Sequence, residues 1–194
     1  MMTGRIWTIP NILTLSRLPL AVVLFACIAY ECWLAGLIVF GVAALTDWLD
    51  GLLARRLNQQ STFGRSVDPL IDKVLTGGAF IYLLPVRGSE LSEWMVTVVI
   101  GRELLITGIR GIMESRGVKF GADTLGKIKM ILQCAVLVVI LAVLWLNTFH
   151  PWAEVSQGLR IVQIVLIYVM LVITIASGVQ YLVKAGRSWM GSAA

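Results

Sequence analysis

Six apolar runs, each near the length of a bilayer crossing, constrain this chain more than anything else in it. They cover residues 11–30, 34–53, 67–84, 94–113, 125–146 and 161–183. A spanning helix needs ~20 such residues, because hydrocarbon leaves backbone polar groups no partner but each other. Hydrophobic residues make up 58% of the chain and charged ones only 14%, against about 25% charged in a soluble domain. The expected class is an all-α integral membrane protein with six transmembrane helices, a single membrane domain over residues 1–194. Residues 1–10, with Arg5, Ile6, Trp7 and Ile9, suit an arm lying in the interface. The first apolar run is too long for the core of a cleavable signal peptide. Cys27, Cys32 and Cys134 have no metal-ligand spacing and read as small buried hydrophobes. His150, beside Pro151, reads as a loop residue.

Basic residues orient the helices. With the N-terminus inside, every Lys and Arg falls at a cytoplasmic end or loop except Arg87 and Arg160. The opposite orientation reverses that bias, so both termini are expected in the cytoplasm. The net charge of +5 is then a topology signal that also suits anionic headgroups and phosphates, and it calls for no nucleic-acid partner. The outer loops, 31–33, 85–93 and 147–160, are short, and the inner ones carry nearly all the polar chemistry.

Four aspartates interrupt this pattern: Asp47, Asp50, Asp68 and Asp72. Each costs roughly 2.5–3.5 kcal/mol at the centre of a spanning helix. Asp47 and Asp50 are three residues apart and Asp68 and Asp72 four, so each pair shares a helix face. Gly64 marks a turn in the polar loop between them, which brings the third helix back antiparallel. Two helix ends then offer four oxygen ligands to one small volume. Hard divalent cations favour that donor set. Ion pairs with Arg55, Arg56, Arg65 and Lys73 are a second reading, and a proton or cation path in a transporter is a third.

The stretch can be written Asp47-x2-Asp50-Gly51-x2-Ala54-Arg55-x8-Gly64-x3-Asp68-x3-Asp72. Here the chain resembles the CDP-alcohol phosphotransferase family, matching all eight fixed residues of its signature over 26 positions. The opening Ile9-Pro10-Asn11-Ile12-Leu13-Thr14 with Arg17 is similar to that family's first helix. Gly101-Arg102-Glu103, Arg110, Gly117 and Gly126-Lys127-Ile128-Lys129 resemble its phosphatidylglycerophosphate-forming branch. Ile71 and Met130 depart from that branch.

The resemblance implies a polar, metal-binding cavity opening to the cytoplasm. Asp47, Asp50, Asp68 and Asp72 would bind two Mg²⁺ or Mn²⁺ ions, with Asp72 also the general base. Pro10, Asn11, Ile12, Leu13, Gly51, Arg55 and Ser61 would contact CDP-diacylglycerol. The family further implies a homodimer, and a bacterial cytoplasmic (inner) membrane is the expected location. A second polar cluster follows. Arg102, Arg110, Lys127 and Lys129 supply the cations that a water-soluble phosphorylated acceptor needs. With the branch likeness, that acceptor is expected to be sn-glycerol 3-phosphate, and inositol phosphate meets the same electrostatic demand.

Overall fold

The computed structural model describes residues 9–57, 62–115, 124–149 and 154–191, with side chains over 16–46, 70–115, 124–148 and 157–187. The proposed arm apart from Ile9 and Pro10, together with Ser61, Arg116, Lys119 and His150, lies outside the described residues. Within them the chain forms α1 (Ile9–Ala29), α2 (Trp33–Leu57), α3 (Thr62–Leu83), α4 (Glu93–Ser115), α5 (Thr124–Phe149) and α6 (Glu154–Gly191), and no strand.

The helices outrun the apolar runs. Helix α2 continues past residue 53 to Leu57, and α6 starts at Glu154 and reaches Gly191. Hydropathy detects what is apolar, whereas backbone hydrogen bonding carries a helix on into polar sequence. Among the described residues, two helices are long and apolar enough to cross a membrane: α5 over Thr124–Thr148 and α6 over Gln157–Arg187. Charges divide the others, with Asp72 and Lys73 in α3 and Arg102, Glu103 and Arg110 in α4. In α1 and α2 the apolar parts with described side chains, Ser16–Ala29 and Trp33–Thr46, are shorter.

Side-chain contacts fix an up-and-down order. Helices α1 and α3 run parallel, joined by Arg17–Asp72 near one end and by Phe25 stacked on Tyr82 at 4.9 Å further along. Gly78 makes that approach possible, since a Cβ there would collide with the Phe25 ring. Gly36 of α2 faces Cys27 of α1 and Leu141 of α5, where a Cβ would make ordinary van der Waals contact at 3.6 and 3.7 Å. Helices α4 and α6 also run parallel. Gln163 meets Ser89 across 74 residues of sequence, and Arg102 meets Ser177 across 75.

The central core takes side chains from every helix, among them Leu24, Phe40, Phe80, Val99, Ile140 and Met170. The outer surface is equally apolar: Val22, Ile38, Ile81, Leu104, Ile131 and Val172 are each more than half exposed. A soluble protein rarely shows so continuous a hydrophobic exterior, whereas a bilayer requires one. The bundle therefore has two polar ends. One holds the turns after α1 and α3. The other holds the start of α3, the end of α4 and the start of α5, and there the chemistry gathers.

Candidate active site

Helix α2 is unbroken through Asp47, Asp50, Gly51 and Arg55, and α3 through Asp68 and Asp72. The up-and-down order thus carries all four aspartate positions to the same end of the bundle. Asp72 is the one whose side chain is described; those of Asp47, Asp50, Asp68, Gly51 and Arg55 lie outside the described residues, as do those of Pro10, Asn11, Ile12 and Leu13.

Asp72 accepts a hydrogen bond from Arg17 Nη1 at 2.6 Å. Arg17 sits within the first apolar run and is 2% exposed, whereas the Asp72 side chain is 36% exposed. A buried guanidinium demands an anion, and Asp72 supplies it while keeping one edge toward solvent.

Beside this pair, α4 and α5 build a second network. Glu103 Oε1 accepts from Arg102 Nη1 at 3.1 Å and also from Lys129 Nζ. Arg102 Nη2 donates to Ser177 Oγ on α6 at 3.0 Å. Lys73 on α3 donates to Thr107 Oγ1, which donates to the Glu103 carbonyl oxygen at 2.6 Å. Ion pairs and hydrogen bonds thus tie α3, α4, α5 and α6 together at the depth of Asp72.

Of the cations expected to meet an acceptor phosphate, the structure brings Arg102 and Lys129 onto one carboxylate, with Lys129 buried and Arg102 only 13% exposed. Arg110 instead lies outward, 53% exposed and paired with Glu114 at 2.9 Å, though within electrostatic range of Lys73. Lys127 is exposed and makes no ion pair among the described residues. Sequence reasoning assigned no site role to Arg17 or Ser177, counted Glu103 in the second polar cluster without a role, and offered Lys73 only as an alternative partner for the aspartates. Arg17 had a usable signal, an arginine inside an apolar run, which is a functional candidate by default.

The family model for CDP-alcohol phosphatidyltransferases matches residues 7–178, which takes in α1 to α5 whole and α6 as far as residue 178. The chain belongs to this family. Among its relatives is a CDP-diacylglycerol–glycerol-3-phosphate 3-phosphatidyltransferase of Escherichia coli K12, 34% identical over 92% of this chain and 95% of that one. A Bacillus subtilis protein of the same name is 46% identical over 50% of this chain, which spans about half (49%) of that relative's length. An Arabidopsis thaliana form is 33% identical over 73% of this chain and 67% of its own. Family members are generally dependent on divalent metal and associated with membranes.

Proposed function

We propose that this protein transfers the phosphatidyl group of CDP-diacylglycerol to sn-glycerol 3-phosphate, giving phosphatidylglycerophosphate and CMP. One observation carries the reading: the aspartate signature and a buried cation cluster meet at one end of the bundle. The relatives' names supply the acceptor.

The donor set fits hard divalent ions, since continuous helices bring four carboxylate-bearing positions to one end. Asp47, Asp50, Asp68 and Asp72 would hold two Mg²⁺ or Mn²⁺ ions. Such ions, when bound, neutralise pyrophosphate charge and favour in-line displacement. The chain's own residues do the rest. Pro10, Asn11, Ile12, Leu13, Gly51, Arg55 and Ser61 hold the nucleotide end of the donor, with Arg55 offering its planar fork to phosphate. Arg102 and Lys129 hold the acceptor's phosphate, and Lys127 and Arg110 add positive charge nearer solvent. Arg17 fixes the orientation of Asp72. Asp72 takes the proton of the acceptor hydroxyl as its oxygen bonds to the β-phosphorus and the bond to the CMP oxygen breaks.

The molecule is read as six spans with both termini cytoplasmic, working as a homodimer in a bacterial cytoplasmic membrane. The decisive experiment follows labelled CMP released from CDP-diacylglycerol with glycerol 3-phosphate, inositol phosphate or serine as acceptor. Release with glycerol 3-phosphate alone is expected. Release only with another acceptor would overturn the acceptor, and release with none would favour a transporter. For topology, a cysteine at Arg87, which is exposed beyond α3, in a Cys32→Ser background that removes the exposed native thiol, is expected to react with an impermeant thiol reagent from outside intact cells. Labelling only after lysis would refute six spans.

A further inference from the structure

Glu103 is used by none of the steps above, yet it is the centre of the cation cluster. Its side chain is 14% exposed, that of Arg102 13% and that of Lys129 7%. A single oxygen, Oε1, accepts from both cations. We propose that Glu103 is a positioning residue: it holds Lys129 and Arg102 as a preformed pair for the phosphate of the acceptor. The inference rests on the reading of the protein as a glycerol 3-phosphate phosphatidyltransferase and deepens it.

Charge balance is the first argument. Lys73, Arg102 and Lys129 surround one carboxylate, and Lys73 is within electrostatic range of both Glu103 and Arg102. Buried charges persist only when paired. One carboxylate offsets one of the three cations, and the surplus matches a phosphate monoester, which carries about −1.5 to −2 near neutrality.

The second argument is rigidity. Arg102 is held on a second side by Ser177, whose hydroxyl proton is already given to the Thr174 carbonyl at 2.9 Å, so its oxygen is turned to accept. Gly178 gives the arginine stem room, since a Cβ there would stand 3.2 Å from Arg102 Cγ. Lys129 has no comparable clamp among the described residues, and Glu103 is the side chain that holds it. A lysine left to itself samples many rotamers, and fixing it beforehand removes that entropy from the binding step. Buried donors are also left over. Arg102 Nε and Gln133 Nε2, the latter one turn beyond Lys129 on α5, have no partner among the described residues.

The test is steady-state kinetics on the full-length protein in lipid nanodiscs. Glu103→Gln keeps the shape and removes the charge. Its apparent KM for glycerol 3-phosphate should rise about ten- to hundred-fold, the range of charge-assisted hydrogen bonds. The KM for CDP-diacylglycerol and the kcat should stay within about twofold, since neither depends on the cation pair. Added to Lys129→Met, Glu103→Gln should do little more, because it acts through that lysine. Glu103→Asp keeps the charge on a shorter stem and should show a smaller rise in the same KM, which tests the assignment by itself if the Gln variant does not fold. An unchanged acceptor KM, a matching rise in the donor KM, or full additivity with Lys129→Met each overturns the assignment. Wild-type protein that releases no CMP with glycerol 3-phosphate overturns the proposed function itself, which is a separate and visible failure.

Discussion

The two ends of the bundle carry similar residue types and use them differently. At the end holding the turns after α1 and α3 there is a broad cleft of about 1010 Å³, lined among others by Glu31, Trp33, Tyr82, Arg87, Asn147 and Thr148. Its neighbouring ion pair, Arg160 with Glu90 at 2.8 Å, has an arginine 63% exposed. At the other end Arg17, Arg102 and Lys129 are largely buried between helices, and each closes a contact to a different helix. This cleft is thus not where the buried charge pairs lie. Cavity volume reports how loops splay, whereas burial of opposed charges reports where the chain tolerates an energetic penalty. Such a penalty is sustained where a site needs it.

Removing the metal should give the largest difference between the ends. Excess chelator is expected to abolish CMP release and Mg²⁺ or Mn²⁺ to restore it, and full activity in chelator would end the two-metal reading. Next in size is Asp72→Asn, which removes the base and should lower kcat about 10²–10⁴-fold with donor affinity near normal. Asp47→Asn or Asp68→Asn should instead weaken metal and donor binding together. If Asp72→Asn loses kcat only alongside donor affinity, and excess metal rescues both, Asp72 is a ligand and not the base.

A smaller effect separates two cations at the same end. Lys129→Ala should raise the glycerol 3-phosphate KM at least about tenfold, since it removes a buried charge-assisted contact. Arg110→Ala should raise it no more than about fivefold, as an exposed cation paired with Glu114 contributes little. Equal effects would show that burial does not rank these residues. The smallest effect belongs to the far end. Arg160→Ala should change stability by less than about 1 kcal/mol and leave CMP release untouched. A large loss of activity there would dissolve the contrast between the ends.

The order and number of helices were legible in the apolar runs, because hydrocarbon imposes a length. Their ends were not, and α6 begins at Glu154 where hydropathy put its start at residue 161. The aspartate signature was legible because it is local, with fixed spacing on two helix ends. The cation network was only half legible. Helical spacing places Glu103, Thr107 and Arg110 on one face, but no periodicity says which face meets the bundle. The structure turns Arg102 inward and Arg110 outward. The contacts that decide this are distant in sequence: Ser177 lies 75 residues from Arg102, and Lys129 26 residues from Glu103. Arg17 and Asp72, 55 residues apart, are likewise joined by packing alone.

The near-constant offset between α4 and α6 makes these helices a matched pair of rulers. Gln163 grips the carbonyls of Gly88 and Ser89 at 2.9 and 2.8 Å, and Ser177 grips Arg102 at 3.0 Å. Between those two grips the helices must keep step. One residue inserted into α6 there advances everything after it by ~1.5 Å and turns it by ~100°. Ser177 would then face away from Arg102, and Gly178 would no longer leave room for its stem. Single-residue insertions or deletions in α6 are therefore expected to be tolerated only outside the two grips. A chain that gained or lost one residue between them would lose the Arg102–Ser177 contact with every one of the cluster's charged residues still present.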